Sequence, residues 1–156
     1  MGYLPMMTHM PLQSSRILQN KGTDEDVIKF APILKMAEAI NQADLMVIST
    51  PMWNYSVPYV LKHYIDIIVQ PGINFTEEPG RPPRAVRPGR PLVLFTSSGG
   101  DGDAERDFLA PYVKEIFGLV GFDLFHHVSM SGLTRGSKEE ILLEKREEIA
   151  RLARLI

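Results

Sequence analysis

An aromatic loop bounded by two prolines carries the most unusual chemistry of the sequence. Between Pro51 and Pro58 the chain places Met52, Trp53, Asn54 and Tyr55 in succession. Large aromatic side chains in a stiff loop are suited to gripping a flat, ring-shaped ligand. Because core aromatics rarely occur in a loop bounded by prolines, a binding role is favoured over a packing role.

A second loop, residues 97–102, has complementary chemistry. It begins with two hydroxyl side chains and two glycines, at Ser97, Ser98, Gly99 and Gly100. Such a loop can bring free backbone amides close to the polar edge of a heterocycle, although the same residues are common in ordinary turns. Together the two loops would offer an aromatic wall and a hydrogen-bonding edge, which suits an isoalloxazine ring better than a sugar or a peptide.

Each loop follows an apolar segment that predicts a buried parallel strand. Residues 45–50 precede the first loop and residues 91–96 precede the second, and both segments are apolar on both faces. Ligands of open parallel sheets bind outside the carboxyl ends of the strands. Adjacent strands would therefore bring the two loops side by side at one edge of the sheet.

Helical spacing of apolar residues predicts four helices, and a third strand is predicted at residues 123–131. The first helix begins at Thr23, and Pro32 either kinks it or divides it in two. The other helices are predicted at residues 59–69, 104–118 and 138–155. The apolar positions expected on the buried faces include Val27, Ile28, Ala31, Ala37 and Ile40 of the first helix, with Val60 and Phe108 of the next two. This alternation implies a parallel sheet with helices on both faces.

Two further segments are less regular. The connection at residues 73–91 is rich in proline and has arginine at every third position, Arg81, Arg84, Arg87 and Arg90. It is compatible with a phosphate grip, but a solvated, proline-stiffened excursion or a two-stranded flap is favoured. Residues 1–22 have no clear period, so we expect an irregular arm or a start-site artefact, followed by one domain at residues 23–156.

Composition limits the functional classes. The 156 residues carry a net charge of −2, which gives no support for a nucleic-acid or membrane-surface partner. Cysteine is absent, which removes thiol catalysis and thiolate metal sites and fits a reducing compartment. No apolar run approaches the ~20 residues of a membrane span, so a cytoplasmic location is expected. No metal-ligand cluster or nucleophile–base pair points to hydrolysis.

Four short motifs closely resemble the FMN-dependent NADH-azoreductase and quinone-reductase family of the flavodoxin-like fold. The family's P-M-[YW]-N-[FY] loop is matched by P-M-W-N-Y at residues 51–55, and its L-K-x-[YW]-x-D helix by L-K-H-Y-I-D at residues 61–66. G-I-N-F at residues 72–75 and S-S-G-G at residues 97–100 match two further family motifs. The likeness extends over roughly residues 24 to 155.

The resemblance implies a flavodoxin-like three-layer α/β/α fold that binds FMN. Family members are homodimers that take hydride from NADH or NADPH and reduce a quinone or azo compound in a ping-pong cycle. No catalytic side chain and no metal site are assigned. A general FMN reductase or electron carrier, and a non-catalytic dimerisation module, remain alternatives. The residues implied at the isoalloxazine and ribityl chain are Pro51, Met52, Trp53, Asn54 and Tyr55, and those at the polar edge of the ring are Ser97, Ser98, Gly99 and Gly100.

One part of the family pattern has no counterpart before Thr23. The family begins with a strand, a serine-rich phosphate loop, a helix and a second strand. We therefore expect one edge of residues 45–50 to be unpaired and FMN to be held weakly. The sequence is then that of a truncated reductase, of a chain whose arm is replaced by a partner segment, or of a protein that has kept only an interaction role.

Overall fold

A computed structural model describes residues 22–100, 104–134 and 137–156. The predicted irregular arm lies outside the described residues except for Gly22, and so does the acidic end of the second loop, residues 101–103.

Helices and strands alternate along the described chain as predicted. The elements are α1 (Asp24–Gln42), β1 (Met46–Pro51), α2 (Tyr59–Ile68), β2 (Phe75–Thr76), β3 (Arg84–Ala85), β4 (Pro91–Ser97), α3 (Leu109–Leu119), β5 (Leu124–Met130) and α4 (Lys138–Leu152). A short 3-10 helix, Ala104–Arg106, precedes α3.

Three of the strands form a parallel sheet in the order β1-β4-β5. Pro51 pairs with Ser97, and Ser97 pairs with Met130. The carboxyl ends of the three strands therefore lie level with one another. The predicted parallel sheet and the predicted juxtaposition of the two loops are both confirmed.

Alternate side chains of β4 face two different layers of helices. Leu92 and Leu94 are fully buried in the main core, together with residues of α1, α2 and α3. Val93 and Phe95 point the other way and line a groove with Ile149 of α4. Because successive strand residues point to opposite faces, helices lie on both sides of the sheet, which confirms the three-layer prediction.

Within the described residues, β1 forms an edge of the sheet. Val47 on β1 is 55% exposed and the preceding Leu45 is 41% exposed, although both are large and apolar. A mostly apolar groove of about 470 Å³ lies beside them, between β1, β4 and α4. The expected unpaired edge is thus present in the part of the chain that the structure describes.

Helix α1 begins at a capping box and continues past its internal proline. The Thr23 hydroxyl accepts a hydrogen bond from the Asp26 backbone N–H at 3.2 Å, and the Asp26 carboxylate accepts one from the Thr23 N–H at 2.9 Å. This exchange satisfies two of the free amides at the helix start. Pro32 lies inside the single helix, so the two-helix alternative is wrong.

Several apolar residues predicted to be buried are exposed. On α1 the core is met by Phe30, Ile33, Ala37 and Ile40, so the prediction is confirmed for Ala37 and Ile40 but is wrong for the first turns of the helix. Only one narrow face of the helix reaches the sheet, and helical spacing alone did not select it. Helix α3 begins five residues later than predicted. The predicted core residues that lie in the solvent are Val27, Ile28, Ala31, Val60 and Phe108.

Arg90 is buried and closes the carboxyl end of α1. Its guanidinium donates to the carbonyl oxygens of Ile40 at 2.8 Å, Ala43 at 2.9 Å and Val120 at 2.6 Å. The same group lies 3.8 Å from the centroid of the Phe122 ring. The last carbonyls of a helix have no intrahelical donor, and Arg90 supplies one from outside.

The other arginines of the connection also have structural roles. Arg87 donates to the Asn41 carbonyl at 3.1 Å and pairs with Asp44, while Arg81 pairs with Glu78 at 2.8 Å. Strands β2 and β3 pair as an antiparallel hairpin, so the predicted two-stranded flap is confirmed. These contacts favour the structural interpretation of the arginines over a phosphate grip.

Replacing Arg90 with leucine is expected to lower the free energy of unfolding by about 3 kcal/mol, because the carbonyl oxygens of Ile40, Ala43 and Val120 would lose a charged donor inside the protein. The matched control is Arg81→Leu, which removes an exposed ion pair and should cost less than about 0.5 kcal/mol. Urea unfolding of both variants measures the difference. Equal losses in the two variants would contradict the structural role of Arg90.

Candidate ligand-binding crevice

The two predicted loops meet at the carboxyl edge of the sheet. The Met52 backbone N–H donates to the Ser97 carbonyl oxygen at 2.8 Å, which extends the pairing of β1 with β4 into the loops. The aromatic turn and the Ser-Ser-Gly-Gly segment therefore leave the sheet side by side. All nine predicted site residues lie at this one edge, as the two strand ends require.

The first loop contains a tight turn with a strained backbone. The Trp53 N–H donates to the Ser56 carbonyl, and the Ser56 N–H donates to the Trp53 carbonyl, both at 3.0 Å. The two residues between them, Asn54 and Tyr55, have φ values of +49° and +67°. Two consecutive positive φ angles are typical of a type I′ turn, in which glycine is the common residue.

The strained turn presents its aromatic side chains to the solvent. Trp53 is 55% exposed and Tyr55 is 49% exposed, whereas Met52 packs partly against the core. A left-handed conformation costs a bulky residue on the order of 1–3 kcal/mol, and such strain concentrates at ligand-binding sites. The turn thus keeps two large rings available at the mouth of the crevice.

Phe108 joins this edge, although the sequence predicted it inside a helix. Its backbone N–H donates to the Tyr55 carbonyl at 3.0 Å, and its ring is largely exposed. The Asp107 carboxylate caps α3 by accepting from the N–H groups of Leu109 and Ala110 at 2.8 and 2.9 Å. An aspartate directly before Phe108 is a helix-start signal that could have located this boundary.

The second loop is fixed by the segment that follows β5. The Ser98 N–H donates to the Met130 carbonyl at 3.0 Å, and the Ser98 hydroxyl donates to the Gly100 carbonyl at 3.2 Å. Further hydrogen bonds reach the loop from residues 132–134. These hydrogen bonds therefore fix the backbone conformation of the second loop.

A family model of the flavodoxin-like fold matches residues 4–153. The chain belongs to the flavodoxin-like fold family. Two curated relatives are similar to it in sequence. FMN-dependent NADH:quinone oxidoreductase 1 of Bradyrhizobium diazoefficiens is 34% identical over 79% of this chain. FMN-dependent NADH:quinone oxidoreductase of Desulfotalea psychrophila is 28% identical over 85% of this chain. The chain covers 61% and 65% of these proteins, so it spans less than two thirds of their length.

A solved flavodoxin-like structure has the same architecture. An azoreductase from Bacillus anthracis superposes with a TM-score of 0.83 at 25% identity, over 99% of this chain and 76% of that one. The predicted resemblance to azoreductases and quinone reductases is confirmed by these relatives.

The described residues were also compared with the requirements of a metal site and of a membrane-spanning helix. No group of three or more His, Asp or Glu side chains is placed to hold a metal ion among the described residues. No helix in residues 22–100, 104–134 or 137–156 has both the length and the apolar character needed to cross a membrane.

One of the two neighbouring histidines of β5 is a structural group. His127 is half-buried, and its Nε2 lies 2.8 Å from the Thr96 hydroxyl oxygen. Burial lowers the pKa of His127 below its usual 6.5; smaller contributions come from Asp107 and Glu148, which raise it, and from Lys145, which lowers it. The neutral ring is therefore the form that the fold favours.

This lowered pKa gives a pH dependence of stability with a definite sign. As the pH falls below 6.5, His127 becomes protonated in the unfolded chain before it does in the folded chain, because its pKa is lower in the folded state. The free energy of unfolding therefore falls as the pH falls. The His127→Gln variant should lack the part of the pH dependence of the free energy of unfolding that His127 causes. Unfolding of parent and variant by urea between pH 7.5 and 5 measures it, and parallel curves would contradict the prediction.

The strain in the turn predicts an unusual result for Tyr55→Gly. Relief of the positive φ should offset the lost contacts and the added freedom of the unfolded chain, so the free energy of unfolding should change by less than about 1 kcal/mol. Ile28→Gly, at an exposed position inside α1, should be the less stable of the two because it gains no such relief. Chemical denaturation compares them, and the reverse order would show that the turn is not strained.

Proposed function

We propose that this chain forms the flavin-binding part of an FMN-dependent oxidoreductase that passes electrons from NADH or NADPH to quinones or azo compounds. The observation that carries the proposal is the meeting of a strained, exposed aromatic turn with a glycine-rich backbone edge at the carboxyl ends of β1 and β4. Ligands of open parallel sheets bind at this place. The proposed quinone and azo acceptors and the NADH donor are those for which the similar proteins are named.

The residues present fit a flat heterocycle with a polar edge. Trp53 and Tyr55 offer exposed rings for stacking, and the loop at residues 97–100 offers backbone donors. When bound, FMN supplies the chemistry by accepting a hydride and passing electrons on, and the protein contributes binding and orientation. Pro51, Met52 and Asn54 would complete the aromatic side. No side chain of the crevice is assigned as an acid or base.

A homodimer is part of the proposal. Tyr59 and Val60 at the start of α2 are exposed, and so is Phe108 beside the crevice. Apolar side chains grouped on a surface mark contact sites for other proteins. A second copy of the chain would cover them and exclude water from the neighbouring rings. We also propose a cytoplasmic location, which the lack of cysteine supports.

A non-catalytic module is the second candidate. The exposed edge of β1 and the apolar groove beside it favour this alternative, because both could serve an interaction role. A flavin-binding electron carrier or general FMN reductase is a third, which would bind FMN without turning over quinones.

The decisive test is the visible spectrum of the purified chain after FMN addition and desalting. Retained flavin absorption, followed by quinone-dependent NADH oxidation, supports the oxidoreductase. Retained flavin without quinone turnover indicates a carrier or FMN reductase. A colourless protein that still forms dimers indicates the interaction module.

Trp53→Ala should weaken FMN binding about tenfold, since stacking on one aromatic ring contributes about 1–3 kcal/mol. Quinone-reductase activity should fall with it, while the dimer seen by light scattering persists. The control is Leu143→Ala on the exposed face of α4, far along the chain from both loops, which should leave all three measurements unchanged. If Trp53→Ala binds FMN as tightly as the parent chain, Trp53 does not stack on the flavin, and this part of the proposal is wrong.

A further inference from the structure

The carbonyl groups of residues 98–100 in the second loop are all bound by the segment that follows β5. The carbonyl oxygens of Ser98, Gly99 and Gly100 accept hydrogen bonds from the backbone N–H groups of Leu133, Thr134 and Gly132, at 3.3, 3.4 and 2.6 Å respectively. Three consecutive acceptors of the loop are thus engaged by three consecutive residues that follow β5. The loop is held with its acceptors turned toward this segment.

This arrangement leaves the donors of the loop free. Among the described residues, neither the Gly99 N–H nor the Gly100 N–H has a hydrogen-bond acceptor. Successive free amides in a glycine-containing loop form a site for electron-rich atoms. The open space beside Gly100, where an added Cβ would meet nothing within 4 Å, gives such a ligand room to approach.

Thr134 contacts the loop through both its backbone and its side chain. Its hydroxyl donates to the Gly99 carbonyl oxygen at 2.6 Å, in addition to the bond from its own N–H. Its side chain also fills the space beside Gly99, because an added Cβ would lie 3.1 Å from Thr134 Cγ2 and 3.3 Å from Oγ1. The hydroxyl bond fixes the peptide that carries the Gly100 N–H.

We propose that Thr134 is a positioning residue, whose hydroxyl bond to the Gly99 carbonyl orients the free Gly100 N–H of the second loop toward the polar edge of the bound flavin. This inference rests on the proposed function. Donors directed at the carbonyl and nitrogen atoms of the ring strengthen when the reduced ring carries negative charge, so they raise its reduction potential. Thr134 would act only through the loop and would not touch the reacting atoms.

The test compares Thr134→Val, which keeps the shape of the side chain but loses the hydroxyl, with Thr134→Ser, which keeps the hydroxyl. FMN affinity is measured by quenching of flavin fluorescence, and the midpoint potential of bound FMN is measured by dye-coupled reduction. Thr134→Val should weaken FMN binding about fivefold to tenfold, the effect of one hydrogen bond, and should lower the midpoint potential. Thr134→Ser should retain the parent values.

A second variant guards against simple misfolding of Thr134→Val. Gly99→Ala forces an added methyl group against Thr134 Cγ2 and should also weaken FMN binding, while the Gly99→Ala/Thr134→Ser double variant removes that methyl contact and should recover part of the loss. Thermal unfolding of the FMN-free proteins reports whether each variant is folded. Strictly additive losses in the double variant would overturn the packing of Thr134 against Gly99.

The outcomes separate this inference from the proposed function. A parent chain that binds no FMN overturns the proposed function, and the inference falls with it. A parent that binds FMN, with Thr134→Val equal to it in affinity and potential, overturns the inference alone. Equal losses in Thr134→Val and Thr134→Ser would show that retaining the hydroxyl does not preserve FMN binding, and would overturn the role of the hydroxyl.

Discussion

The parallel pairing of β1 with β4 is the constraint on which the crevice depends. Its register places Pro51 opposite Ser97, and the next hydrogen bond, from Met52 to Ser97, carries the pairing into the loops. A slip of two residues would move the loops apart by about 7 Å along the strands. A slip of one residue would turn Ile48 out of the core and invert both faces. Burial of the β4 leucines therefore also fixes the geometry of the site.

The crevice combines a strained turn with an unstrained support. Asn54 and Tyr55 have positive φ angles within a turn closed by two hydrogen bonds. The second loop is anchored by its bond to the Met130 carbonyl and by donors from residues 132–134. The core beneath both loops is fully buried at Leu92 and Leu94, so it can offset the cost of the turn. A stable sheet thus presents exposed rings and free amides at one edge, which is the arrangement a flavin-binding protein needs.

Much of this was predictable from local sequence. The strand before each loop was located to within one residue, because a short apolar run bounded by serine, threonine or proline has few alternatives. The composition of residues 51–58 likewise predicted a loop that presents aromatic side chains, and Trp53 and Tyr55 are exposed there. The exposure of Val27, Ile28 and Phe108 was mispredicted, because apolar spacing does not say which of several possible stripes meets the core.

The sequence by itself determined the order of the elements, the two loops and the family resemblance, since these depend on neighbouring residues and short motifs. Only the tertiary structure decided that Arg90 closes the end of α1, and that Thr134 supports Gly99 across 35 positions of the chain. The physical reason is that both depend on carbonyl groups brought near by the fold. The spacing of residues along the chain does not indicate which distant carbonyl group a side chain will contact.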